Sequence, residues 1–320
     1  MTSKSQSELM GVILAAGKGT RMRPFSEDYP KPILPIAGRP LLHYQVEAMR
    51  ELGIRDIVVV IGHLGYKVVR ALGDGSELGV RLRYVEQEHT LGIAHAVSRL
   101  EPFVDRPFFL FLGDIFFDTE NLGSMVEMFR AEKTDAVLAV KREPDIEAIK
   151  RNFVVLLGGD GVIRRVIEKP RHPRTDLKGC GLYLFDVSFF DAVRRTPRTA
   201  MRDEYEITDA IQTYIDDGFQ VRAAEVIRDD LNISYPEDLL VVNLHYLRRH
   251  GLPNWIGSDV ELAPGTTVEN SVLMDGVRVE HPIAIKDSLI FPGKSISRRT
   301  PVERKILLDG REVDCAHVLD

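Results

Sequence analysis

The 320-residue sequence predicts an α/β fold: a doubly wound, mixed sheet within residues 10–250, then a short left-handed β-helix segment at 255–298. Three observations carry this reading. Short apolar runs of strand length alternate with amphipathic stretches up to residue 141. The order strand, helix, strand recurs, which calls for a parallel sheet covered on both faces. After Trp255, apolar residues recur at intervals of six, the period of a left-handed β-helix.

Val12 to Ala15 is the first buried-strand candidate, and it stops in a loop with glycines at 17 and 19 and cations at 18 and 21. Glycine leaves no Cβ in the way, so backbone amides can approach a ligand at the strand's C-terminal edge. Cations beside exposed amides suit a polyphosphate. The loop fails the Walker pattern, because Lys18 is followed by Gly19. It also fails the dinucleotide fingerprint: Met22 stands at the third glycine, and Pro24 and Pro30 oppose an immediate helix. An isolated Gly-x-Gly of this kind is otherwise an ordinary turn.

Leu42, Val46 and Met49 share one face of a helix over 41–52, with Gly53 as its C′ residue. A strand at 54–61 follows, then helix 65–72, strand 80–85, helix 92–100, strand 107–112, helix 119–132 and strand 135–141. In such sheets ligands bind beyond the C-terminal strand ends. The next half is less regular. Phe153–Leu157 and Val162–Ile167 flank Gly158-Gly-Asp-Gly161, a hairpin signal. Strand 181–185, helices 188–195 and 206–216, strand 219–227 and helix 236–249 complete an α+β insertion expected to hold a second substrate.

Beyond it, Ile256, Leu262 and Val268 mark the six-residue period, resumed after a slip by Val277, Ile283 and Leu289. At ~18 residues per coil this makes about two coils, too few to stand alone. The segment is therefore expected to pack on the catalytic domain or on a neighbouring subunit of a homo-oligomer. Residues 1–9 read as a disordered tail, and 299–320 as a C-terminal tail with a strand candidate at Lys305–Leu308.

Composition narrows the function. Apolar residues make up 44% and charged residues 28%, enough for a large core. A net charge of −6 offers no basic field for nucleic acid or anionic membrane. No apolar run approaches ~20 residues. Cys180 and Cys315 lie outside any zinc spacing, which fits a reducing cytoplasm. None of the nine histidines falls in a His-x3-His or His-Glu-x-x-His pattern.

Leu14-Ala-Ala-Gly-Lys-Gly-Thr-Arg-Met22 followed by Lys31-Pro-Ile-Leu-Pro35 resembles the signature of the sugar-1-phosphate nucleotidylyltransferases, and further motifs extend the resemblance to about Leu240. It implies a Rossmann-like nucleotidyltransferase fold and Mg²⁺-dependent transfer of a nucleotidyl group from a nucleoside triphosphate to a sugar 1-phosphate. Both reactants are anions, so the chemistry is mostly charge neutralisation and alignment. By the match, Ala15, Ala16, Gly17, Gly19 and Thr20 form the nucleotide loop. Arg21 binds the leaving pyrophosphate and Lys31 the α-phosphate; either alone would read as a solvated surface cation.

Asp114, just past the strand at 108–112, matches the Leu-Gly-Asp motif as a magnesium ligand. Asn232, before Pro236-Glu-Asp-Leu239, stands at the second ligand position. Thymidylyltransferase-like members carry aspartate there, and N-acetylglucosamine-1-phosphate uridylyltransferases carry asparagine; weak metal binding is the alternative. Tyr84-Val-Glu-Gln87 and Leu91-Gly-Ile-Ala-His-Ala96 resemble the base-recognition segment. Gln87 pairs a donor with an acceptor, matching uracil or thymine, and Gly92 admits the base and ribose. This form leans towards UTP or dTTP without excluding guanine.

Ile167-Glu-Lys-Pro170 matches the sugar motif, with Glu168 on sugar hydroxyls and Lys169 on the sugar phosphate. Gly181 and Tyr183 fit the sugar wall, and Arg202 a further phosphate contact. Phe153 stands where the family often has glycine, which leaves the sugar open. A GTP-dependent mannose- or heptose-1-phosphate enzyme is the alternative within the class, and a non-catalytic sugar-nucleotide sensor the alternative outside it. An added acetyltransferase function is disfavoured by the short hexapeptide segment.

Overall fold

The computed structural model describes residues 7–23, 25–131, 134–199, 203–308 and 310–319. Two compact units emerge: a sheet unit, Met1–Lys18 with Leu42–Asp230, and a ladder unit, Gly19–Leu41 with Leu231–Asp320. No helix among the described residues is long and apolar enough to cross a membrane.

In chain order, β1 (Met10–Ala15) is followed by the hairpin of β2 (Pro35–Ile36) and β3 (Arg39–Pro40), then α1 (Leu41–Glu51). Alternation continues through β4 (Asp56–Ile61), α2 (Gly65–Leu72), β5 (Arg81–Glu86), α3 (Ile93–Ser98) and β6 (Phe108–Leu112). Next come β7 (Ile115–Thr119), α4 (Gly123–Ala131), β8 (Ala136–Arg142), α5 (Ile146–Arg151) and the hairpin of β9 (Phe153–Leu157) and β10 (Ile163–Glu168). β11 (Leu177–Phe185), α6 (Phe189–Arg195), α7 (Ile207–Asp216), β12 (Val221–Glu225), β13 (Ile227–Asn232) and α8 (Pro236–Arg249) follow.

The main sheet runs β10-β9-β11-β6-β1-β4-β5, with β8 on β11 and β12 on β8. β1 pairs parallel with both β4 and β6, so Ile13 faces Val59 on one side and Phe111 on the other. These three strands are buried on both faces, which is why each reads as an unbroken apolar run. β11 runs antiparallel to β6 and β8, which makes the sheet mixed. Phe185 stacks on Phe189 at 3.8 Å, and Phe108 on Phe190 at 5.3 Å, filling the core beneath it.

Several elements differ from the sequence reading: β11 begins at Leu177 rather than at 181, and α5 and the β2–β3 hairpin are absent from that reading. The helix expected from residue 119 begins at Gly123, because Ile115–Thr119 is a strand paired with β13. The strand expected over 219–227 divides at Val226, whose amide donates to the Ala224 carbonyl in a three-residue turn that sends β12 and β13 to different sheets.

β8, β11 and β13 also share a buried ionic network. Lys178 reaches Asp230 at 2.8 Å, and Lys141 lies 3.3 Å from Glu143 and 3.5 Å from Asp230. Burial pushes the Glu143 carboxyl up, but the Asp145 amide, Lys141 and Lys178 outweigh it and hold it below its ordinary range. A carboxylate depressed on folding stabilises above its unfolded value and loses that contribution as pH falls through its folded value.

The ladder unit holds three short parallel sheets. The first stacks β14 (Trp255–Ile256), β17 (Val272–Leu273), β20 (Leu289–Ile290) and β23 (Lys305–Leu308). The second stacks β15 (Glu261–Leu262), β18 (Arg278–Val279) and β21 (Ser295–Ile296). The third stacks β16 (Thr267–Glu269), β19 (Ala284–Lys286) and β22 (Val302–Glu303). β24 (Arg311–Asp314) closes the far edge antiparallel to β23. The ladders thus continue to Leu308, past the expected limit of 298, and the strand candidate Lys305–Leu308 is β23.

Corner residues set this repeat. Asn270, Asp287 and Arg304 take positive φ at successive turns, as do Asp259, Gly276, Gly293 and Gly310. Buried serines are satisfied by the next coil: the Ser288 amide donates to Ser271 Oγ at 3.0 Å, and the Lys305 amide to Ser288 Oγ at 3.2 Å.

Segment 19–41 belongs to the same unit. Phe25 and Tyr29 pack on Phe291 at 5.5 and 5.7 Å, and Trp255 lies against Gly38 so closely that a Cβ there has no room. Asn243 of α8, fully buried, accepts from the Ala37 amide at 2.8 Å and donates to the Pro35 carbonyl at 3.1 Å.

Phe291→Ala is expected to destabilise the ladder unit by about 3–5 kcal/mol, as loss of a buried aromatic generally does. Trp255, the single tryptophan, reports this directly in urea unfolding followed by fluorescence. Glu143→Gln should lower the unfolding midpoint at neutral pH, with the difference from wild type closing as acid takes the carboxyl down through its lowered folded value. A gap that persists in acid would refute the ionic origin of that stability.

Candidate active site

The C-terminal ends of β1 and β6 meet in the sheet unit. The Gly113 amide donates to the Leu14 carbonyl at 2.9 Å, and a Cβ on Gly113 would stand 2.7 Å from that oxygen. Ala15, Ala16 and Gly17 therefore leave the sheet beside the turn that carries Asp114, which is half-buried. Gln45 of α1, at 2% exposure, donates through Nε2 to the Leu112 carbonyl at 2.8 Å and the Ile115 carbonyl at 2.9 Å. One amide thus brackets Gly113-Asp114 from both sides. Gly181, at φ +70°, packs against Leu112 and Ile115, and any side chain there would displace the same turn.

Gln87 follows β5, is buried, and donates through its backbone to the Ile61 carbonyl at 2.8 Å. Its Nε2 lies 3.0 Å from His95 Nδ1. Gly92 has φ +105° and abuts the Tyr205 backbone, with no room for a Cβ. Tyr205 pairs with the loop on both sides: its amide donates to Leu91 and its carbonyl accepts from Ala94. Burial, followed by Arg99, His89 and Arg198, lowers the His95 pKa.

Glu168 ends β10, with its carboxylate 3.4 Å from Thr208 Oγ1 and 3.5 Å from Lys169 Nζ. Lys169 takes φ +44°, a strained value for a non-glycine, held by its amide's bond to the Asn152 carbonyl at 2.9 Å. Burial and then the Glu168 charge raise the Asp209 carboxyl. Tyr183, expected in the sugar wall, is buried at 1% exposure, its ring 6.2 Å from that of Phe153 and 5.6 Å from that of Phe185. Phe153 turns inward as well, its ring filling the space a side chain at position 179 would take.

Gly19, Thr20, Arg21, Lys31 and Asn232 lie in the ladder unit. Gly19, at φ +60°, supports the stem of Lys31, whose Cγ would sit 3.2 Å from a Cβ there. Thr20 and Arg21 are exposed, and the Arg21 guanidinium lies over the Tyr235 ring at 5.3 Å. Asn232 is exposed at the end of β13. The turn after it is held by Asp238, which accepts from the Ser234 and Tyr235 amides at 2.7 Å each. Arg202 lies outside the described residues. Sequence reasoning missed Gln45, Thr208 and Tyr235, which carry no motif of their own, and gave His95 no role.

A family model described as nucleotidyl transferase matches residues 10–246. A glucose-1-phosphate thymidylyltransferase of Streptomyces griseus is 34% identical over 92% of this chain and 84% of its own. A UTP–glucose-1-phosphate uridylyltransferase of Haloferax volcanii is 36% identical over 72% of this chain and 93% of its own. A solved structure from Bacillus anthracis, described as a glucose-1-phosphate thymidylyltransferase, superposes with a TM-score of 0.66 at 28% identity, covering 73% of this chain and 94% of that one.

Gln45→Leu removes both bonds to the Asp114 turn and strands two buried carbonyls, at a cost of about 2–5 kcal/mol. Urea unfolding at neutral pH checks the stability loss. A hydrogen-exchange comparison should place the extra opening at residues 112–115, and uniform loosening would count against the bracket.

Proposed function

The chain belongs to the nucleotidyl transferase family, and we propose that it makes a nucleoside-diphosphate sugar from a sugar 1-phosphate and UTP or dTTP, releasing pyrophosphate. The observation that carries this is the junction of β1 and β6, where the glycine loop and Asp114 emerge side by side at the sheet's C-terminal edge. Relatives that use UTP and dTTP both support the reading, as does the buried Gln87 amide.

In this reading the amides of Ala15, Ala16, Gly17, Gly19 and Thr20 cradle the triphosphate. Arg21 takes the leaving pyrophosphate, for which its spread charge is suited, and Lys31 the α-phosphate as a point charge. Tyr235 holds the Arg21 guanidinium by its ring face, and Gly19 the Lys31 stem. Glu168 accepts from sugar hydroxyls, and Lys169, fixed in its strained conformation, grips the sugar phosphate; Thr208 keeps the Glu168 carboxylate turned. Arg202 adds a further phosphate contact by resemblance. Gly181 acts by seating the Asp114 turn.

By the family resemblance a divalent cation, Mg²⁺ in this reading, would be held by Asp114 and Asn232, whose carboxylate and amide oxygens are hard donors of the kind it takes. Bound to phosphate oxygens, it would offset charge during in-line attack. The asparagine leaves one more positive charge on the metal than an aspartate would. The C-terminal ladders are read as coils of a left-handed β-helix, and the protein as a cytoplasmic homo-oligomer.

Purified protein offered each of five triphosphates with Mg²⁺ and a set of sugar phosphates should release pyrophosphate with UTP or dTTP, the product being identified by mass. Turnover with GTP alone would favour the guanylyltransferase alternative, and nucleotide-sugar binding without turnover the sensor. Asp114→Ala or Lys31→Ala should cost at least ~100-fold in rate, as loss of a preorganised charge partner does. Near wild-type rates would overturn those roles.

A further inference from the structure

The Gln87 amide carries an acceptor and a donor side by side, and turning it over by half a rotation exchanges them. One way round, Oε1 accepts from the N3–H of uracil or thymine while Nε2 donates to the neighbouring carbonyl. The other way round, the same edge suits cytosine, whose ring N3 accepts and whose amino group donates. A site that reads the base through this residue must therefore hold it in one orientation, and Gln87 has no means of doing so itself.

We propose that His95 is the positioning residue that fixes the orientation of Gln87 and so makes the site select uracil or thymine over cytosine; this rests on the pyrimidine reading above. The Nε2 of Gln87 stands 3.0 Å from His95 Nδ1. In the tautomer that carries its proton on Nε2, which is part of the proposal, Nδ1 accepts and takes the outer Nε2 hydrogen of Gln87. The inner hydrogen and Oε1 are then left together on the edge that meets the base. Reversing the amide would set Oε1 against the Nδ1 lone pair, two acceptors face to face.

The imidazole is itself held. It is part of α3, half-buried, and stacks on the Tyr205 ring at 6.1 Å. Tyr205 is bonded to Leu91 and Ala94 on either side of Gly92, so the ring's platform is built into the base loop. The charged and titratable groups facing His95 are Arg99 beyond the end of α3, His89 in the loop after Gln87, and Arg198 in the loop before α7, which lies over Tyr205 at 5.7 Å. All three can be cationic and none is acidic. They act with burial to depress the imidazole below its ordinary 6.5, which keeps the ring neutral at neutral pH, and in its Nε2–H tautomer Nδ1 is then the acceptor. Protonation in acid turns Nδ1 into a donor, which favours the reversed amide and the cytosine edge.

UTP and CTP share ring size and ribose, so the ratio of their dissociation constants by calorimetry isolates the edge. His95→Phe keeps a ring on Tyr205 and removes the acceptor; the preference for UTP should fall by about tenfold or more. His95→Asp, an obligate acceptor at neutral pH, should restore most of it. In the wild type the preference should shrink between about pH 7.5 and about pH 5, and in His95→Asp it should hold over the same window. Thermal unfolding of each variant separates these effects from misfolding. A preference unchanged in a folded, UTP-binding His95→Phe protein, or independent of pH in the wild type, overturns this inference alone. A wild-type protein that binds neither nucleotide and releases no pyrophosphate from any triphosphate overturns the parent reading, and this one with it.

Discussion

A single backbone hydrogen bond organises the catalytic end of the sheet: the Gly113 amide to the Leu14 carbonyl, at 2.9 Å. It lets two parallel strands end at the same level, one in a glycine loop and the other in a carboxylate. No side chain fits between them, since a Cβ at 113 would collide with the very oxygen being bonded. Glycine there is a packing requirement first and a chemical convenience second. Gln45 and Gly181 then seat the turn from α1 and from β11, so Asp114 is presented by backbone that has nowhere else to go.

In the ladder unit, the segment bearing Arg21 and Lys31 has little regular structure of its own beyond single 3₁₀ turns and a two-residue hairpin. Its order comes from packing. Phe291 receives Phe25 and Tyr29, Trp255 closes on Gly38, and Asn243 bonds both sides of the Pro35–Gly38 turn. The C-terminal ladders are thus the surface on which the cationic loop is built. Their expected shortness is resolved the same way: they bury a face against segment 19–41 and carry an antiparallel edge strand, β24.

The departures from family pattern have physical counterparts. Phe153, where glycine is usual, folds its ring into the space beside Gly179 and onto Tyr183. Lys169 and Glu168 stand at the hairpin's end, close to Thr208 and Asp209. Neighbouring carboxylates and a cation in one strained turn are an arrangement that a polyhydroxylated phosphate could satisfy.

The doubly wound half was legible in the sequence because buried parallel strands are written as unbroken apolar runs, as in Val12–Ala15, Ile57–Ile61 and Phe108–Leu112, and glycines punctuate their ends. The motif residues were legible for a related reason: phosphate and base recognition confine residue type within a few positions. The ladder repeat was only half legible. Its true period of corner residues, Asn270, Asp287 and Arg304, was hidden because three different side chains accept the same positive φ. What tertiary structure alone decided lies between segments distant in sequence. Gln45 reaching Leu112 and Ile115, His95 meeting Gln87, Tyr205 closing on Gly92 and Phe291 seating Phe25 leave no local trace. Chain order restricts which neighbours a residue has within a turn, whereas hydrogen bonds and ring contacts are settled only where folded strands and helices bring distant atoms to within a few ångströms.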